Sequence, residues 1–368
     1  MTLIQQSPPL LPTPPTPQGN PGPAPGRERR RVGAIAPRLI APVALAAILL
    51  GFGMLSPVFL TAGNLAGVLG QMAILSLVAI GMTIVVRAGG IDLSIGVAVD
   101  LAALASAALI ADGYRAWVAI AAGLLFGLLV GAVNAALIVG LRIPPFLATL
   151  SVWFIGTSVQ QLLTGGGAPI YLSKPRVPIE FALLGRGYLV DVDGVIVSAA
   201  LVALVIGVLL GATRWGRTVT VTGEQPTAAR ISGLRINRIT VSAYLLCSLV
   251  AGFAGVILAS RTNGFVPGSG QAYLMDAIGA VFIGATLSRF SRVSVPGTLI
   301  GVLIFALLSN GMNLVGLSFF WQGLGRGVVL LAILLLGVLL SRSVPAGTGI
   351  LARLLTRPSP RNATQSTD

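Results

Sequence analysis

From about residue 37 to residue 341 the chain alternates long apolar runs with short breaks marked by charge, glycine or proline. The runs are continuous rather than alternating apolar with polar, so they read as helices and not as barrel strands. Most approach the ~20 residues that carry a helix across hydrocarbon. The pattern predicts ten spans, at about 37–56, 65–86, 91–111, 116–139, 146–163, 195–213, 239–259, 273–287, 295–315 and 323–341. The fold class is an all-α polytopic membrane protein, with a transmembrane domain at 37–342.

Three segments stand outside this rhythm. Residues 1–36 hold nine prolines between Pro8 and Pro25 and then an arginine cluster, which predicts a disordered tail. Residues 343–368 read as a second disordered tail. Between the sixth and seventh spans lies a polar island, Arg214 to Arg238, with five arginines. Within it, Glu224 and Pro226 suit a helix start and Gly233 a helix end. The predicted helix is about two turns long, too short to be stable alone in water. It is either an ordinary basic loop or a docking helix for a soluble partner.

Charge orients the layout. With the N-terminus in the cytoplasm, 18 of the 24 Lys and Arg residues fall on the inner side and 6 on the outer. That bias is what the positive-inside rule demands. It places both termini and 214–238 in the cytoplasm and the polar loop 164–194 outside. It also accounts for the net charge of +14 without nucleic acid.

Composition then removes whole classes of chemistry. With no histidine and one cysteine, Cys247, there is no His-based triad, disulfide or ordinary metal site, and no catalytic residue is assigned. The only lysine, Lys174, stands in Ser-Lys-Pro, so no phosphate-cradling Gly-Lys-Ser/Thr loop exists. Any ATP-driven process needs a separate ATPase chain. Cys247 reads as a small buried hydrophobe.

Three acids fall in or beside spans: Asp92, Asp100 and Asp276. Such residues are costly in lipid and face a cavity or a partner. Asp92, in Gly90-Ile-Asp-Leu-Ser94-Ile-Gly96, fits a helix cap beside Ser94. Asp100 and Asp276 are candidates for a polar path, or for buried bonds between helices. A shift of 176 residues superposes Asn134…Val139-Gly140-Leu141 on Asn310…Val315-Gly316-Leu317, and Asp100 on Asp276. The matched spans run in opposite directions, as in an inverted-topology repeat whose interface forms a substrate path. Asn134 and Asn310 join the two aspartates as path candidates. Gly123, Gly127 and Gly131 recur on one helix face and predict close helix packing.

These motifs resemble the permease subunit of bacterial ABC sugar importers of the ribose/xylose/galactose type, from about Ala41 to Leu340. The resemblance rests on Gly90 to Gly96, on IPPFLATLSVWFIGTSVQQLLTGG at 143–166, on GRTVTVTGEQPTAARISGL at 216–234, and on LMDAIGAVFIGAT at 274–286. It implies a bacterial inner-membrane location and a monosaccharide as the solute. It implies pairing with a second permease copy or homologue, a periplasmic solute-binding protein, and an ABC ATPase subunit that uses ATP and Mg. This chain itself would hold no cofactor. Glu224, Ala228, Ala229, Arg230 and Gly233 would then form the coupling helix, with Ala228 and Ala229 towards the ATPase. The outer loop, with Lys174 and Arg176, would receive the binding protein. Two departures leave the solute open: Asp100 stands where the family has a small apolar residue, and LSRFSRVSV replaces a glycine- and serine-rich turn after the eighth span. A nucleoside, a polyol or an autoinducer-type sugar is an alternative solute, and a secondary transporter an alternative class.

Overall fold

The computed structural model describes residues 27–173, 177–288 and 292–342. Lys174, Arg176, the tail at 343–368 and residues 1–26 lie outside them. In chain order the elements are α1 (Arg27–Leu55), α2 (Ala62–Arg87), α3 (Ile95–Ala111), α4 (Ala116–Ala135) with a π-helical turn (Ala136–Gly140), α5 (Pro145–Leu163), β1 (Ile170–Tyr171), α6 (Ile179–Arg186), β2 (Tyr188–Leu189), β3 (Val192–Asp193), α7 (Gly194–Ala212), α8 (Arg214–Glu224), α9 (Pro226–Ile231), α10 (Ile236–Thr262), β4 (Gly264–Phe265), α11 (Ser269–Thr286), α12 (Val295–Leu314) and α13 (Phe319–Arg342).

Each predicted span falls on a helix. Among the described residues seven helices are long and apolar enough to cross a membrane: α2, α4 with its π turn, α5, α7, α10, α12 and α13. The apolar part of α1, Leu39–Leu55, and α3 are shorter. Two boundaries moved for physical reasons. α1 begins at Arg27, inside the tail predicted to be disordered to residue 36, because its Arg and Glu residues are good helix formers. α3 begins at Ile95 rather than 91, because Asp92 and Ser94 bond locally and hold the preceding backbone out of the helix.

Four helix starts carry side-chain caps. Thr61, Asp193, Thr213 and Ser294 each accept from a backbone amide two or three residues on, at the heads of α2, α7, α8 and α12.

α2 runs through the centre, buried without interruption from Ala73 to Val85. It packs on α11 and α12, while α10 packs on α3 and α4. The α4 glycines bring that last pair together: a methyl group on Gly127 would lie 2.6 Å from the Gly252 Cα, and one on Gly131 2.7 Å from the Tyr244 carbonyl. Large apolar side chains on the outer faces of α4, α5, α7 and α13, such as Phe126, Phe154, Leu204 and Leu331, stand exposed and suit contact with lipid.

The two ends of the bundle differ. At the start of α2, β1 pairs antiparallel with β4, and β2 with β3. Arg261 of α10 pairs there with Asp193 at 2.8 Å, beside Gly70 of α2. At the other end of α2 lie α8 and α9.

Candidate functional site: a helix junction and a surface helix pair

The first site is built where the N-termini of α3 and α11 meet. Gly96 and Gly270 touch backbone to backbone; a methyl on Gly96 would lie 2.8 Å from the Gly270 carbonyl oxygen. The irregular stretch before α3 enters the interior: Asp92 receives the thiol of Cys247, near the middle of α10, at 3.7 Å. Asp92 Oδ1 accepts from the Ser94 amide at 2.9 Å and its hydroxyl at 2.6 Å. Asn134 Nδ2 donates to the same Ser94 oxygen at 2.7 Å. Asp92 therefore organises the approach to α3 by bonding the amide and hydroxyl of Ser94, the residue before the helix, while no side chain caps the first turn itself. Cys247 is buried as expected, but it also donates to Asp92, which the apolar run around it conceals.

Asp100 plays the matching part for α11. Its Oδ1 accepts from the Gly270 amide at 2.7 Å and from the Ser269 hydroxyl at 3.1 Å. Asp100 thus satisfies a free amide and the positive end of α11. Gln160 of α5 adds an acceptor for the Gly268 amide at 3.2 Å, and the Trp153 indole donates to Gln271. Of the two roles open to Asp100, the structure supplies the bond between helices.

The other path candidates do not join this junction. Asp276 is paired with Arg326 of α13 at 2.9 Å. Asn310 exchanges two 2.9 Å bonds with Asn64 of α2. The sequence shift that links Asp100 with Asp276, and Asn134 with Asn310, therefore joins residues with different partners. Gln160, Trp153, Gln271 and Arg326 escaped sequence reasoning. Gln160 left a signal, as a glutamine within an apolar span.

The second site is the surface pair α8–α9. The island is two helices, not one, so Glu224 does not open the short helix. It closes α8, and its carboxylate pairs with Arg292 at 2.7 Å. Proline at 226 starts α9 afresh. α9 ends as expected: Gly233 takes φ +74°, its amide bonds to Arg230 and the Leu234 amide bonds to Ala229. Ala229 is 0% exposed, so it packs inward and not towards a partner; Ala228, Thr227 and Ile231 face outward. Of the two alanines expected to point towards the ATPase, only Ala228 stands on the exposed side.

α8 is clamped to α2. A methyl on Gly223 would overlap the Arg87 carbonyl and lie 2.8 Å from the Gly89 amide nitrogen. Arg87 Nε donates to Thr220 at 2.8 Å. Gly89 leads directly into the stretch that carries Asp92. The segment that α8 clamps and the buried junction are therefore consecutive along one piece of backbone.

Comparison with known proteins decides the family. The family described as "Branched-chain amino acid transport system / permease component" matches residues 64–338. The chain belongs to this permease family. It is 36% identical over 283 residues to the ribose import permease protein RbsC of Bacillus subtilis (strain 168), covering 77% of this chain and 87% of that one. It is 32% identical to the L-arabinose ABC transporter permease protein AraH of Azospirillum brasilense, covering 76% and 81%. It is 30% identical to the fructose import permease protein FrcC of Rhizobium meliloti, covering 80% and 84%. No solved structure matches it. The matched range of this multi-pass permease contains both the α3–α11 junction and the α8–α9 pair.

Proposed function

We propose that this chain is the membrane-spanning permease subunit of an ABC importer for a monosaccharide. The observation that carries the reading is the agreement among its relatives: ribose, arabinose and fructose are all monosaccharides, although the family's own description names branched-chain amino acids. The chain is a transporter subunit, not an enzyme; ATP and Mg are used by a separate ATPase subunit, and a periplasmic binding protein delivers the sugar. It works with a second copy or homologue in the inner membrane.

In this reading all ten predicted spans cross the bilayer, with both termini and α8–α9 in the cytoplasm. The sidedness of the arginines supports that orientation. The crossed packing of α2 on α11–α12 and of α10 on α3–α4 supports an inverted repeat. The sugar passes the α3–α11 junction beside α5, where Trp153, Gln271 and Gln160 offer an aromatic face and amides suited to hydroxyls. Asp100 shapes that point by holding α11. Asn134 holds the α3 side, and Asp276 and Asn310 tie α13 and α2 to the second half.

Coupling starts at α9. Ala228, with Thr227 and Ile231, forms the surface for the ATPase, while Ala229 and Gly233 fix the segment in the permease and Glu224 adds a weak, exposed ion pair to it. A push on α9 passes through α8 and Gly223 to Gly89, and so to the backbone that carries Asp92 and the start of α3.

The test is reconstitution with the partner ATPase and binding protein in liposomes. Labelled ribose, arabinose or fructose should accumulate only with ATP and all partners present. Accumulation driven by an ion gradient through this chain alone would make it a secondary transporter. Uptake of a nucleoside or polyol in preference to all three sugars would change the solute.

A further inference from the structure

Arg142, at the corner between α4 and α5, Arg230 of α9, and Arg235 and Arg238 at the head of α10 line one open cavity of about 690 Å³ together with Leu234, Ile236 and Asn237. That volume suits a small ligand or head group. Three other arginines at this end of the bundle are satisfied by the chain, Arg87 by Thr220, Arg217 by the Ala212 carbonyl and Arg292 by Glu224, while Arg214 makes no side-chain bond among the described residues. Among the described residues, no ion pair or side-chain hydrogen bond engages the four that line the cavity. The head of α10 also lacks a side-chain cap, so the cavity combines four guanidinium groups with the positive end of a 27-residue helix.

A general bias of arginine towards one side of a membrane explains why these residues are at this end. It does not explain why four of them converge on one cavity without an acid. Planar guanidinium forks match phosphate oxygens two at a time, and the positive end of the helix favours the same anion. Leu141 and Ile231, the sequence neighbours of Arg142 and Arg230, are 69% and 84% exposed.

We propose that this cavity is a phosphate-ester site, filled by the head group of an anionic lipid or by a free phosphate compound. The phosphate bridges the α4–α5 corner, α9 and the start of α10, and so braces the coupling segment. The proposal rests on the membrane-spanning reading but on no particular sugar.

The experiment uses the full chain purified in detergent and native mass spectrometry with phosphatidylglycerol or phosphatidylcholine added. In the Arg142→Gln/Arg235→Gln/Arg238→Gln variant, retention of phosphatidylglycerol should fall about tenfold, with that of phosphatidylcholine unchanged. An Arg214→Gln/Arg217→Gln variant, outside the cavity, should retain phosphatidylglycerol as the unmodified chain does. A triple Arg→Lys variant keeps the charge, guards against a folding defect and should still lose retention severalfold, because a point charge lacks the fork. Displacement of the lipid by millimolar inorganic phosphate or glycerol 3-phosphate would identify a free phosphate as a sufficient ligand; resistance to both would identify the lipid. Unchanged phosphatidylglycerol retention in the glutamine variant, or equal loss in the control pair, overturns the proposal. Sugar uptake is not measured in any arm, so failure here leaves the importer reading untouched.

Discussion

Asp100 and Gly270 are joined across two helices by a 2.7 Å bond in which the buried carboxylate accepts the first free amide of α11. The bond needs an oxygen acceptor at that place and not a charge. Asp100→Asn keeps an acceptor, so it should retain ATP-driven uptake and lose less than about 1 kcal/mol of stability, whereas Asp100→Leu should lose about 1–3 kcal/mol by leaving the amide unpaired. Thermal unfolding in detergent and vesicle uptake check both. If Asp100→Asn abolishes uptake at unchanged stability, the carboxylate acts on the solute itself.

The clamp of α8 on α2 separates shape from charge. Gly223 rests on the Arg87 carbonyl, so Gly223→Val should push α8 away and uncouple ATP hydrolysis from uptake, with overpacking of about 1–3 kcal/mol. The Glu224–Arg292 pair is 26% and 51% exposed, and exposed pairs contribute about 0–1 kcal/mol. Glu224→Ala should therefore leave hydrolysis and uptake close to normal. An equal loss in both variants would mean that the clamp works by charge.

How much of this was legible in the sequence follows from what each feature depends on. The apolar helices were legible because a helix that crosses lipid requires a continuous apolar run, and the Asp92 contact because its partner Ser94 is two residues away. The role of Asp100 was not, since its partners lie 169 and 170 residues on and only the fold brings them near. Asp276 and Asp100 look equivalent by spacing, but Arg326 reaches only one of them. On the surface, Glu224 and Pro226 carry opposite signals, an ion pair that ends one helix and a ring that starts another. Read without the partner Arg292, they merge into a single start.

Orientation is open to chemical labelling. In a Cys247→Ser background, which retains a donor for Asp92, a cysteine placed at Ser173 should react with a membrane-impermeant maleimide added outside. One placed at Thr227, exposed on α9, should react only after access to the cytoplasmic face. The reverse pattern would invert the proposed topology and move the coupling surface away from the ATPase.

The last prediction uses two neighbours on α9 that differ only in direction. Ala228 faces outward and Ala229 is fully buried. Ala228→Trp places its bulk where the ATPase should dock, so the chain should insert and keep its thermal stability, yet fail to retain the ATPase subunit in affinity purification. Ala229→Trp drives the same bulk into a closed contact between α9 and the rest of the permease. It should cost at least about 1–3 kcal/mol and lower the melting temperature before any partner is added. Gly233→Val belongs with the second, because φ +74° is strained for a β-branched residue by about 1–2 kcal/mol. Thermal unfolding and co-purification, measured on all three variants, separate the surface from its support. If Ala228→Trp binds the ATPase normally and drives normal uptake, α9 is not the coupling surface, because Ala228 stands among the exposed residues Thr227, Arg230 and Ile231 that a partner on this helix would have to cover.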